Sequence, residues 1–247
     1  MKKLLFFLIA SFIFNLTIDA QVWRMRRYEA VCGIGTTHYF GDIGGWSKDE
    51  NILGLKDIDI TQIRPSIYVG FRYKLYEELA LKLNLIYGYL HGDDSGDANN
   101  SRNFKFYTGI FEPSIQVEYA FIKEREAMSY LMMKGRGMSQ FHPSISAYAF
   151  IGFGGAFFKI TKKENLQNVD LEYTPAALVV PVGIGFKYGL NTNWSIGFDL
   201  GERFTTSDYI DGYTSEFSKS KDVYFFGVIN MVYKIETGSN GLPVFKK

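Results

Sequence analysis

A single cysteine, six prolines and almost no excess of charge mark what this chain does without. One cysteine cannot close an intrachain disulfide, so the fold is not stapled. Cys32 lies in a Gly-rich, strand-like segment, where a small buried apolar role is expected. Lys and Arg number 27 against 26 Asp and Glu, for a formal net charge of +1. With no clustered basic face, this balance speaks against a nucleic-acid binder. Long apolar runs are also missing after the first, which spans residues 4–16. That run is too short for a membrane-spanning helix, which needs ~20 residues. It follows Met1-Lys2-Lys3 and precedes Thr17-Ile18-Asp19-Ala20, the pattern of a secretory signal peptide cut near Ala20. Residues 1–20 are therefore expected to be a signal peptide, and 21–247 the mature protein. A lipoprotein would carry a cysteine immediately after the cleavage point, whereas Gln21 stands there and Cys32 lies well beyond, so no lipid anchor is expected. With no later apolar helix, membrane residence has to come from strands.

What the chain does have suits strands. Aromatic residues make up 17%, with 17 Tyr, 22 Phe and 25 Gly, and the mean hydropathy is -0.06. The decisive signal is a period of two. Ile63, Pro65, Ile67, Val69, Phe71, Tyr73 and Leu75 alternate with Gln62, Arg64, Ser66, Gly70, Arg72 and Lys74. Leu79, Leu81, Leu83, Leu85, Tyr87 and Tyr89 then oppose Ala80, Lys82, Asn84 and Gly88. Ile115, Val117, Tyr119 and Phe121 repeat the pattern, as do Leu178, Val180, Val182, Ile184, Phe186 and Tyr188, and Trp194, Ile196, Phe198 and Leu200. The first two runs extend for 13 and 11 residues, longer than the ~5 or 6 of soluble sheets and matched to a tilted transmembrane strand. Less regular strands near 28–37, 144–158 and 223–235 complete an even set. The expected fold is all-β, a closed antiparallel transmembrane barrel of eight strands.

The connections sort by length. Residues 76–78 and 190–193 are short, as periplasmic turns are, whereas 40–61, 91–101, 161–175 and 205–222 are long and polar, as external loops are. The exception is 122–142, a long insertion on the periplasmic side. Its Lys123-Glu124-Arg125-Glu126 start is expected to stay wet, and Met128, Leu131, Met132 and Met133 to form an apolar contact stripe on a short helix.

An eight-stranded barrel is just wide enough to be filled by its own side chains. Arg64, Arg72, Lys82, Lys187 and Arg203 are expected to meet Glu112, Glu118 and Asp199 in an interior network, because an unpaired buried charge is costly. A structural role outweighs a proton or ligand path. His142-Pro143-Ser144 holds a His and a Ser that could share a strand face, but no orienting acid is assignable and the topology places the pair at the periplasmic rim. The acidic stretch from His91 to Asp97 lacks the alternating acids and closing Glu of a calcium loop, and reads as a solvated tip. Asp42, Asp208 and Asp211 read as turn residues. No catalytic, cofactor or metal site is expected.

Several longer stretches carry a resemblance. They are Gly33-Ile34-Gly35 with His38-Tyr39-Phe40-Gly41-Asp42-Ile43-Gly44, Arg102-Asn103-Phe104 leading to Glu112 and Glu118-Tyr119, and the run from Tyr148 to Gly154. Pro181 to Tyr188 and Gly201 to Asp211 continue the order, so most of the mature chain is covered. In this combination the chain resembles the small outer-membrane β-barrel family of Bacteroidota that includes the PorG component of the type IX secretion system. The resemblance implies a non-enzymatic barrel, embedded in outer-membrane lipid, that in PorG-like members contacts periplasmic secretion-ring proteins. The function expected from it is an outer-membrane component of type IX secretion that anchors periplasmic machinery through 122–142. The alternatives are a structural outer-membrane barrel without a secretion role and, third, a lipid-modifying hydrolase.

Overall fold

The computed structural model describes residues 22–41, 43, 60–95, 101–124, 144–168, 173–214 and 221–245. The expected signal peptide lies outside them. So does all of 122–142 beyond Glu124, with Met128, Leu131, Met132, Met133 and His142.

Eight antiparallel strands follow a short 3-10 turn: β1 (Tyr28–Phe40), β2 (Arg64–Lys74), β3 (Leu79–Asp93), β4 (Lys105–Ile122), β5 (Ile145–Lys163), β6 (Ala176–Gly189), β7 (Trp194–Thr205) and β8 (Val223–Thr237). Each pairs with its neighbour in chain order, and β1 also pairs with β8 from Tyr28↔Ile235 to Phe40↔Val223, which closes the barrel. A two-residue β9 (Pro243–Val244) adds to the end of β8. Tight turns at 75–78 and 190–193 stand at the same end as the start of β1 and the end of β8, the end that faces the periplasm in barrels of this kind.

The strands are 11 to 19 residues long, and several reach further outward than the sequence pattern marks. β3 continues through His91, Gly92 and Asp93, β4 starts at Lys105 and β5 runs to Lys163, held in register by Asp93↔Lys105↔Lys163. Past the lipid the outward positions turn polar, with His91, Lys105, Tyr107, Lys159 and Lys163, so the period of two fades from the sequence while the backbone ladder persists.

The apolar set of every strand faces outward. Ile34 is 71% exposed and Phe153 59%, with Ile67, Leu83, Ile115, Ile184, Phe198 and Ile229 in the same belt. A wall of this kind is not tolerated in water over such an area and is satisfied by acyl chains. Cys32 belongs to this wall: it is exposed, between Val31 and Gly33, which point inward. The expectation that it is buried fails because its strand parity matches Ile34, not Val31.

Inward, the lumen divides into two zones. Its periplasmic half is charged. Its external half is filled by Tyr39, Ile86, Leu90, Phe106, Ile110, Phe158, Tyr224 and Phe226. The last long connection does not stay out in solvent: Ile210 is fully buried in the external mouth. Thr108 Oγ1 donates to the Ile210 carbonyl at 2.6 Å, and the Ile210 N–H donates to Asp222 Oδ2 at 2.8 Å.

Small residues make room for this filling. Gly183 and Gly201 face each other across β6 and β7, and the Phe150 ring covers both. A Cβ at Gly183 would stand 2.1 Å from the Leu200 carbonyl oxygen and 2.5 Å from Phe150 Cζ. Gly183→Val is therefore expected to destabilise the barrel by about 1 to 3 kcal/mol through overpacking. The check is the midpoint of the heat-induced gel shift of the detergent-solubilised protein, whose unheated form should show a β-rich circular dichroism spectrum. A helical spectrum for the parent, or an unchanged midpoint in the variant, contradicts the packing described here.

Candidate functional site

Each strand sends polar side chains to the periplasmic half of the lumen, because inward positions alternate with lipid-facing ones. At its centre Asp199 on β7 accepts hydrogen bonds from Lys82 Nζ (2.9 Å), Tyr148 OH (2.5 Å) and Asn230 Nδ2 (3.2 Å). Lys82 also lies 3.0 Å from Glu118. Glu118 in turn accepts from Arg72 in a two-pronged arrangement, Nε to Oε2 at 2.5 Å and Nη2 to Oε1 at 3.1 Å. The third guanidinium nitrogen of Arg72 donates to Glu29 Oε2 at 2.6 Å. Glu29 then meets Lys187 at 2.9 Å and Lys74 at 3.0 Å.

The series ends at Glu124, just past β4. Its carboxylate turns back into the periplasmic mouth, 2.9 Å from Lys74, 2.7 Å from Lys187 and 2.5 Å from Lys234. Five cations thus alternate with four carboxylates from the barrel centre to its rim. Such geometry offsets the cost of burying charge, since each group is both paired and hydrogen-bonded. For Glu124, burial alone would raise its carboxyl pKa, but Lys187 and Lys74 hold it well below the usual range. A depressed carboxylate contributes stability that is complete above its unfolded value and lost only as the pH falls through the folded one. The clamp on Glu124 therefore persists well into acid.

Of the residues expected in the network, Arg72, Lys82, Glu118, Lys187 and Asp199 are brought together. Glu112 and Arg203 stand apart in the external half, 3.6 Å from one another; Glu112 accepts from Tyr224 OH at 2.8 Å and Arg203 stacks on Phe226. Arg64 does not enter the lumen. It is half-buried at the external rim of β2, where it donates to the Thr61 and Ile63 carbonyls and to Tyr107 OH. Its inward parity is correct, but its guanidinium is held at the rim by the Thr61 and Ile63 carbonyls and Tyr107, while Thr37 and Phe226 fill the lumen at that level.

Glu29, Lys74, Lys234, Tyr148 and Asn230 were missed. The parity of β1, β5 and β8 is blurred by small residues and inward Val, although Lys74 sat visibly on the same face as Arg72. Glu124 is a correction: it reads as wet in the charged run after β4, yet it is buried. Lys123 does stay exposed, near Glu77 and Glu78. Arg125 and Glu126 lie outside the described residues.

The other candidates hold ordinary structural partners. Asp94 accepts from Arg102 at 2.6 Å, Asp93 lies 3.3 Å from Lys105, and His91 Nδ1 is 2.6 Å from the Phe106 carbonyl. Asp208 and Asp211 accept from Thr214 and the Tyr213 N–H, as turn residues do. Among the described residues no group of three His, Cys, Asp or Glu is placed to hold a metal. Ser144 accepts the Gly189 N–H through its carbonyl at 2.8 Å. Asp42, Asp97 and His142 lie outside the described residues. Within the charged half a space of about 30 Å³, lined in part by Arg72, Lys74, Glu118 and Glu124, has room for about one or two waters.

No protein-family model matches the chain, and no curated protein matches it by sequence. Solved structures do. The chain is similar to the outer membrane protein OprG from Pseudomonas aeruginosa, at 11% identity and a TM-score of 0.52, over 86% of this chain and 98% of that one. Neisserial surface protein A matches at 8% identity and a TM-score of 0.40, over 84% and 96%. The N-terminal β-barrel domain of Pseudomonas aeruginosa OprF matches at 12% and 0.37, over 84% and 97%. At such identities the likeness concerns the fold, and the first of the three carries it. With its apolar outer wall, the chain is an eight-stranded outer-membrane β-barrel that crosses the bilayer through its strands.

Two measurements test the charged lumen. Glu118→Ala should lower stability by about 3 to 5 kcal/mol, because it leaves Arg72 and Lys82 buried without their shared carboxylate. Arg64→Ala, at the rim, should stay within about 0.5 kcal/mol. Equal losses for the two, read from unfolding in detergent, would remove the distinction between lumen and rim. In planar bilayers the parent protein should give no steady porin-like current.

Proposed function

We propose that this chain is a non-enzymatic outer-membrane component of type IX protein secretion, which anchors periplasmic machinery and does not itself pass cargo. The observation that carries this reading is the clamp on Glu124. Where the chain leaves β4, three lysines from β2, β6 and β8 hold its carboxylate in the periplasmic mouth. Residues 125–143 therefore follow on a side chain held fixed in the mouth, and a tight turn would have sufficed to join β4 to β5.

A filled lumen supports an anchor over a pore, since the external half is packed with apolar side chains and the periplasmic half with ion pairs. The resemblance of the Gly-aromatic stretches to the family that includes PorG supports the secretion assignment. In this reading Met128, Leu131, Met132 and Met133 are the contact residues for ring proteins, and methionine suits an adaptable apolar surface. A barrel that only stabilises the outer membrane is the second reading, favoured by how completely the lumen is filled.

The two readings separate when residues 125–140 are replaced by a short Gly-Asn turn that leaves Glu124 in place. The barrel should still assemble, shown by its gel shift on heating, while co-purification of periplasmic ring proteins and export of a secretion substrate should both be lost. Export and co-purification at the parental level would assign the chain to the structural role.

A further inference from the structure

The lipid-facing wall is not electrically uniform. On β4 and β5, outward positions beyond the aromatic belt of Tyr87, Tyr89, Phe111 and Phe157 carry lysines. Lys105 stands opposite Lys163, and Lys159 lies opposite Gly109. Tyr107 lies between them and gathers charge around its ring: Lys163 Nζ is 4.6 Å from its centroid and the Arg64 guanidinium 5.2 Å, while His91 stacks on it at 4.1 Å. The described carboxylate against this group is Asp93, near Lys105. Among the described side chains, Arg64, Lys105, Lys159 and Lys163 against Asp93 leave a local excess of three positive charges.

Two lysines directly opposite on neighbouring strands repel each other, and Asp93 offsets this on the Lys105 side, so Lys163 and Lys159 are the positions that call for an added anion. No described carboxylate faces Lys159 or Lys163. The patch also has a side: on β7 the outward position near the external end is an acid, Glu202, which is exposed. Depth identifies the anion. The cluster sits at the long-loop end, above the aromatic girdle and outside the wall, where lysine stems lie on apolar surface and their heads reach the headgroup layer. What faces the wall at that level is lipid, and the anionic groups there are phosphates.

We propose that the external rim of β4 and β5, with Arg64 beside it, is a docking surface for the phosphate groups of a glycolipid of the outer leaflet. Lys105, Lys159 and Lys163 supply point charges, and Arg64, whose guanidinium is held by Thr61, Ile63 and Tyr107, adds a fixed positive charge beside them.

The test uses the full mature protein in phosphatidylcholine nanodiscs doped with a bis-phosphorylated glucosamine-disaccharide lipid, or with the same lipid stripped of both phosphates. Retention is read by native mass spectrometry. The parent should keep the phosphorylated lipid at least about tenfold better than the stripped one, and the Lys105→Gln, Lys159→Gln, Lys163→Gln triple variant should lose that preference. Lys123→Gln, at the periplasmic rim, should keep it. If the triple variant fails the heat-shift check, Lys159→Gln alone should lower retention by roughly fivefold. Equal retention of both lipids, or undiminished binding by a folded variant, overturns the proposal. So does complete release of the lipid by inorganic phosphate, which would mark a free-anion site, and tighter binding of polyglutamate, which would mark a protein-docking face.

Discussion

The pairing of β1 with β8 is the contact on which everything else rests. In hydrocarbon an unpaired N–H or C=O costs several kcal/mol, and an open sheet would expose two full edges. Thirteen residues of β1 find partners on β8, from Tyr28↔Ile235 to Phe40↔Val223, and the edges vanish. Closure then dictates the two chemistries of each strand. Alternate side chains must meet lipid or lumen, so Ile67, Val69 and Phe71 go outward while Tyr68 and Arg72 go inward from the same strand. The ladder is interrupted at Pro113 and Pro181, on either side of β5, where proline has no N–H to contribute.

Closure also creates a compartment whose contents must satisfy one another. The lumen is shut externally by aromatic and aliphatic side chains and by the Ile210 segment, so the charges beneath have little water to turn to. Their solution is alternation: Asp199, Lys82, Glu118, Arg72, Glu29, Lys187 and Glu124 form a chain in which every carboxylate touches at least two cationic or hydroxyl donors. Because the members come from all parts of the sequence, the chain ties β1, β2, β3, β4, β6 and β7 together across the lumen as the backbone ladder ties them around it.

The two ends of the cylinder are built differently. Externally, loop residues fold back into the mouth, with Tyr39 OH donating to Asp222 at 2.5 Å and Arg102 lying over the Phe104 and Tyr213 rings. At the periplasmic end the clamp is ionic, and a side chain just past β4 is what it holds. The internal ion pairs thus both stabilise the lumen and fix the Glu124 side chain where the chain leaves β4.

Much of the barrel was legible along the chain. A period of two sustained over ten or more residues, apolar on one face, determines strand identity and which face meets lipid, because a strand's side chains have no third direction. Turn lengths likewise determine orientation. Arg72, Lys82, Glu118, Lys187 and Asp199 could be marked as inward on parity alone. What parity cannot carry is height. Arg64 has the inward phase but is drawn to the external rim by the Thr61 and Ile63 carbonyls and Tyr107, and Glu112 and Arg203 share a face with the network yet sit in the apolar half of the lumen. Cys32 and Glu29 fall on a strand whose small residues hide its phase. Glu124 lies past the last strand residue, so no periodicity applies to it at all. Strand register and tilt, set only when eight strands close together, decide which inward side chains share a level. The tertiary structure therefore decided the partners, while the sequence by itself determined the strands and their two faces.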